Sequence, residues 1–92
     1  MSALSPQEAT SRLANLPEWQ IEDGELTRTF RFKNFPAALA FVNRVGERAE
    51  EANHHPDIDI RYNRVRLSLV THDEGGLTAK DFDLATAADK LV

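Results

Sequence analysis

A chain of 92 residues, 41% hydrophobic and 28% charged, with four Gly and four Pro, has the composition of one globular domain over residues 1–92 and is too short for two. The absence of Cys excludes disulfides, thiolate zinc sites and thiol nucleophiles. Eleven Lys and Arg against fifteen Asp and Glu give a net charge of −4 with the His neutral, the wrong sign for a broad phosphate-binding surface, so no nucleic acid is expected as a partner.

No apolar run approaches the roughly 20 residues that cross a bilayer, and the opening MSALSPQEAT lacks the basic and apolar regions of a leader. A cytoplasmic protein with no membrane association is expected. Its limited core favours a second subunit.

Ser5-Pro6-Gln7-Glu8 offers a hydroxyl cap, a proline at the first helical position and a Glu at the end of the first turn, which opens a short helix to about Asn15. Ala9, Leu13 and Leu16 fall at helical spacing, Pro17 ends the segment, and Trp19 and Ile21 alternate with Gln20 and Glu22 as in a half-buried strand. Asp23-Gly24 is a hairpin signal, because Gly tolerates the positive φ of tight primed turns. On the returning strand Leu26, Phe30 and Phe32 share a face with Arg28 as its one polar member, while Thr27, Thr29 and Arg31 share the other.

Asn34 as cap and Pro36 in the first turn open the longest helix, with an apolar face expected at Phe35, Ala38, Leu39, Val42, Val45, Ala49 and Ala52. Asn43, Arg44, Glu47, Arg48, Glu50 and Glu51 read as its solvated side. Ile58, Ile60 and Tyr62 alternate as a strand, Asn63 and Arg64 turn, and Val65, Leu67 and Leu69 form the partner strand with Arg66, Ser68 and Val70 facing away. Gly75-Gly76 breaks the chain, and Thr78 caps a last helix that presents Phe82, Leu84, Ala85, Ala88 and Leu91 to the sheet. The expected fold class is α+β, a four-stranded antiparallel sheet with helices packed on one face, since only one sheet face is fully apolar.

All three His, at positions 54, 55 and 72, fall within nineteen residues. His54 and His55 leave the long helix, and Pro56 holds His55 in an extended conformation. A hairpin turning near Asn63 brings the far ends of its strands together, so residues 54 to 56 and His72 become neighbours. Asp81 can reach the same sheet edge from the first turn of the last helix. Thr78-Ala79-Lys80-Asp81 also reads as a capping box, and any single His reads most simply as a surface imidazole. Three on one edge point instead to chemistry: proton transfer, for which imidazole titrates in the right range, or a metal site. The lack of an H-x-x-x-H or H-x-H pair weighs against metal. No phosphate-loop, dinucleotide or nucleophile-elbow motif is present.

Glu50, three residues, His54-His55-Pro56, five residues, Tyr62, nine residues, His72, eight residues and Asp81 together resemble the signature of the pterin-4a-carbinolamine dehydratases. Phe30-Arg31-Phe32-Lys33-Asn34-Phe35, Ala40-Phe41-Val42 with Arg44-Val45, and Leu77-Thr78 ahead of Asp81-Phe82-Asp83-Leu84-Ala85 extend the likeness over nearly the whole chain. The resemblance implies dehydration of 4a-hydroxytetrahydrobiopterin to quinonoid dihydrobiopterin without a cofactor or metal, in recycling that serves an aromatic amino acid hydroxylase. It implies His54 and His72 as acid and base, His55 chiefly as a binding group, and Asp81 and Glu50 as orienting carboxylates. Asn53, His54 and His55 with Val70, Thr71, His72 and Asp73 would line the substrate; Val70 stands where a small hydroxyl residue is expected. The resemblance also implies a homodimer or homotetramer. Two other functions are open to such a chain: a dimerisation module for a protein partner, as in animal members that assist a homeodomain transcription factor, and action on another pterin, as in molybdopterin metabolism.

Overall fold

The computed structural model describes residues 3–92. Three helices, α1 (Pro6–Leu13), α2 (Phe35–Ala52) and α3 (Ala79–Asp89), accompany four strands, β1 (Gln20–Glu22), β2 (Glu25–Arg31), β3 (Asp57–Arg61) and β4 (Arg64–Leu69). The sheet is antiparallel throughout, in the order β1-β2-β4-β3. The fold is therefore α+β, as the alternation of patterns predicts.

Each helix starts where its cap lies. Ser5 Oγ accepts the Glu8 amide at 3.2 Å while Glu8 Oε1 accepts the Ser5 amide at 2.9 Å, and the Ser5 backbone N–H, with its hydroxyl, holds the Glu8 carboxyl below the ordinary carboxylate range. Asn34 Oδ1 accepts the Ala37 amide at 2.9 Å and opens α2. Helix α1 ends at Leu13, earlier than Asn15, because residues 14 and 15 turn. That turn buries Leu16 and Trp19 at the foot of β1.

Residues paired across antiparallel strands share a face. Ile21↔Leu26, Leu26↔Leu69, Arg28↔Leu67↔Ile58 and Phe30↔Val65↔Ile60 make one apolar face, which the helices cover with Ala9, Phe41, Val45, Ala49, Phe82, Ala85 and Ala88. The opposite face carries Glu22, Thr29, Arg31, Asp59, Arg61, Arg64 and Arg66, all exposed. Arg28, the one polar member of the inner row, is accommodated by Asp89 at the end of α3. Its guanidinium donates to Asp89 Oδ1 at 2.7 Å, lies 4.1 Å above the Phe30 ring, and shares that carboxylate with Trp19 Nε1 at 2.9 Å.

Of the expected face of α2, Ala38, Val45 and Ala49 are buried and Val42 packs partly buried against the core, while Phe41, not expected on that face, joins the buried stripe. Phe41 packs on Phe30 with ring centroids 4.6 Å apart and on Phe32 at 4.9 Å, and this aromatic stack sets the rotation of the helix. Phe35 and Leu39 consequently turn outward, 42% and 37% exposed, as does Ala52. Phe32 lies beyond the end of β2. The β3–β4 turn falls at Tyr62 and Asn63, one residue earlier than expected. Asn63 fixes it: its carbonyl accepts the Phe32 amide at 2.9 Å and its Nδ2 donates to the Phe32 carbonyl at 2.8 Å. Tyr62 is thereby held at φ 53° and exposed, and Arg64 opens β4 opposite Arg61. Among the described residues no helix is long and apolar enough to cross a membrane.

Candidate active site

Helix α2 stops because Asn53 adopts a left-handed conformation, φ 50° and ψ 43°, with its amide donating to the carbonyls of Ala49 and Glu50. Asn is among the few side chains that tolerate this geometry. The His54 amide donates to the Ala49 carbonyl at 3.1 Å, so the chain reverses sharply and sends its two imidazoles in different directions. His54 turns inward, its side chain 11% exposed, whereas that of His55 is 56% exposed.

The second segment arrives through β4. Asp57↔Ser68 is the outermost pair of the β3–β4 ladder, which sets residues 53–56 beside 69–73. The strand ends at Leu69, short of His72, and the chain closes a loop in which the Thr71 amide donates to the Gly76 carbonyl at 3.1 Å and the Gly76 amide to the Thr71 carbonyl at 3.3 Å. Gly75 supplies the φ of 72° that this closure requires. His72 opens the short 3₁₀ turn His72–Glu74 inside the loop and is exposed. Among the described residues its imidazole has no hydrogen-bond partner.

Asp81 joins the segments from beneath. Fully buried, it accepts His54 Nε2 on Oδ1 at 2.6 Å, and on Oδ2 both the Thr71 hydroxyl and the Thr78 amide at 2.9 Å. Thr71 has one hydroxyl proton and gives it to the carboxylate, so at the 2.8 Å contact between the two threonine hydroxyls Thr78 is the donor. The network has a chemical consequence. With three donors on an ionised Asp81, His54 carries hydrogen on Nε2, and Nδ1 is left as the ring nitrogen available to a ligand. Asp81 caps α3 and anchors His54 with the same side chain.

His55 Nε2 lies 2.5 Å from Glu50 Oε1, on the solvent side. Such an exposed pair orients the ring and contributes little to stability. Asn53, His54, His55, Val70, Thr71, His72 and Asp73 line one cavity of about 290 Å³. Asp81 lies buried behind its wall, Glu50 is exposed on the solvent side, and the Thr71 hydroxyl is committed to Asp81. Lys80 also lines the cavity and was not singled out by the sequence, where a lysine in the first turn of a helix is ordinary. Its only signal is adjacency to Asp81. Among the described residues no three of His, Asp and Glu form a group suited to a metal ion.

A sequence model described as Pterin 4 alpha carbinolamine dehydratase matches residues 2–91. A protein of Chloroflexus aurantiacus, provisionally named a pterin-4-alpha-carbinolamine dehydratase, is 60% identical over 92 residues, covering 100% of this chain and 99% of its own. One of Acidobacterium capsulatum with the same provisional name is 56% identical, with 100% of both chains covered. The crystal structure of a transcriptional coactivator/pterin dehydratase from Brucella melitensis superposes with a TM-score of 0.94 at 35% identity over 98% of each chain. A pterin dehydratase-like protein identified as a RuBisCO assembly factor of the alpha-carboxysome shares the fold, at a TM-score of 0.67 and 23% identity over 79% of this chain and 84% of its own. The chain belongs to the pterin 4 alpha carbinolamine dehydratase family.

Proposed function

We propose that this protein dehydrates 4a-hydroxytetrahydrobiopterin to quinonoid dihydrobiopterin by general acid–base catalysis shared between His54 and His72. The reading is supported above all by the meeting of three imidazoles in one cavity of about 290 Å³, with one of them fixed on a buried carboxylate. The reaction breaks the C4a–O bond. The oxygen takes a proton and leaves as water, N5 gives up its hydrogen, and the electron pair of that N–H bond forms the C4a=N5 double bond. An imidazolium on one side and a neutral imidazole on the other supply this exchange, and each contributes about 10²- to 10⁴-fold in rate.

His54, with Nε2 held by Asp81, exchanges its proton through Nδ1. His72, on a separate segment, is free to address the opposite side of the ring, so the two serve a hydroxyl on either face. His55, oriented by Glu50, binds the substrate's polar edge with Asn53, Val70, Thr71 and Asp73. Thr71 contributes through its backbone, its hydroxyl being engaged. In this account the chain acts in the cytoplasm as a homodimer or homotetramer and recycles the cofactor of an aromatic amino acid hydroxylase.

The test is turnover of chemically generated 4a-hydroxytetrahydrobiopterin by purified protein. The reading predicts loss of the hydroxy compound well above its spontaneous rate. A rate equal to the buffer control overturns it.

A further inference from the structure

The outer face of the sheet is divided in charge along its strands. Glu22, Glu25 and Asp57 lie toward one end, while Arg31, Arg64 and Arg61 stand directly opposite one another on β2, β4 and β3 at the other. The adjacent rung is Thr29, Arg66 and Asp59, and every residue of these two rungs is exposed. We propose that this basic end docks a short, extended, acidic segment of a partner protein. The surface is separate from the histidine cavity, because Asp57, beside the histidines, and Arg61 are opposite ends of β3.

Like charges directly opposite across a ladder destabilise a sheet, and here three share one row about 10 Å wide, two steps of the strand spacing. Nearby carboxylates relieve only part of the repulsion. Asp59 Oδ1 lies 3.2 Å from Arg61 Nε and Glu22 Oε1 lies 3.7 Å from Arg66 Nη2, but among the described residues Arg31 and Arg64 have no hydrogen-bond or ion-pair partner. An anion seated between them gains their attraction and removes their mutual repulsion. Guanidinium forks match carboxylates in particular, which they bind through two parallel hydrogen bonds. Thr29, Asp59, Arg61, Arg64 and Arg66 line an open hollow of about 210 Å³, and one small oxyanion spans only part of the row. A polynucleotide would run on from the arginines toward Glu22, Glu25 and Asp57, which repel its phosphates. An extended peptide presents side chains on one side about every 7 Å, the spacing between these two rungs. Its carboxylates can end where the arginines end.

Fluorescence anisotropy of a labelled Asp-Ser repeat peptide of about eight residues, titrated with the full chain at about 20 mM salt, reads the surface directly. The peptide should bind, and salt at about 0.3 M should weaken it about tenfold. Arg64→Thr, which leaves a good strand former in place, should weaken binding about fivefold, and the Arg31→Thr, Arg64→Thr double variant about twentyfold. Arg12→Ala, at an exposed arginine of α1, should leave it unchanged. Both Thr variants should melt no lower than the wild type, since each removes a like-charge pair. Absence of peptide binding at low salt, equal losses for Arg12→Ala and Arg64→Thr, or tighter binding of a single-stranded oligonucleotide of equal charge would overturn the proposal. Displacement of the peptide by an equimolar amount of inorganic phosphate would also overturn it, making the row a small-oxyanion site.

Discussion

His54 Nε2 and Asp81 Oδ1 are 2.6 Å apart, and the carboxylate behind that contact is fully buried. One side chain thus does two jobs: it starts α3 by accepting the Thr78 amide, and it fixes which nitrogen of His54 faces a ligand. Asp81→Asn leaves shape intact but has a single acceptor oxygen for three donors. With its oxygen on the Thr71 hydroxyl and Thr78 amide, the new NH₂ donates to His54 Nε2 and moves that ring's hydrogen to Nδ1, so we expect a fall in turnover of about 10²-fold with a loss of about 1 kcal/mol of stability. Thermal melts and kcat on the same preparation check both; wild-type turnover would contradict the positioning role.

The Arg28–Asp89 pair predicts a stability effect separable from activity. Both side chains are less than a third exposed, and the Trp19 indole shares the carboxylate. Asp89→Asn should cost about 1–3 kcal/mol and shift the fluorescence of Trp19, the chain's single tryptophan, with kcat per folded molecule unchanged. Urea unfolding followed by that fluorescence is the check.

Phe35 and Leu39, one helical turn apart and outward-facing on α2, should lie in a contact between copies of the chain. Sedimentation at micromolar concentration should show a species larger than 10.3 kDa, and Leu39→Glu should shift it toward the monomer. A wild-type protein found only as the monomer would defeat this expectation.

Glu8 provides a pH dependence of known sign. Its folded carboxyl titrates below the ordinary 4.5 because Ser5 donates to it. A depressed folded value stabilises the native state above the unfolded pKa, and that increment is lost as pH falls through the folded one. The melting temperature of the wild type should therefore exceed that of Glu8→Gln at pH 7 and converge on it as pH drops below about 4.5. A gap that widens on acidification would reverse the assignment.

Much of this site was legible because short-range chemistry dictated it. Asp23-Gly24 closes its hairpin at positive φ, and that hairpin logic, applied to β3 and β4, brings His72 to His54. The rotation of α2 was legible only in part: Ala38, Val45 and Ala49 are buried as their spacing predicts, whereas Phe41 is not signalled by it. Apolar residues occupy more than one stripe of that helix, and the choice of Phe41 over Leu39 depends on Phe30 and Phe32 arriving from another strand. The one-residue shift of the turn to Tyr62 has a similar origin, since Asn63 bonds to Phe32 across the sheet. The family resemblance implies that Thr71 lines the substrate, and its hydroxyl is engaged by Asp81. Nothing local distinguishes these two uses of a threonine.

Comparing His54→Ala, His72→Ala and the double replacement tests the central claim most directly. Each single variant should lose about 10²- to 10⁴-fold in turnover and remain above the spontaneous rate, because the other imidazole still serves one face of the ring. The double variant should fall to that rate while Trp19 fluorescence reports a folded protein, and a strong chelator should leave wild-type turnover unchanged. A double variant that retains turnover, or activity lost on chelation and restored by zinc or iron, would contradict the account.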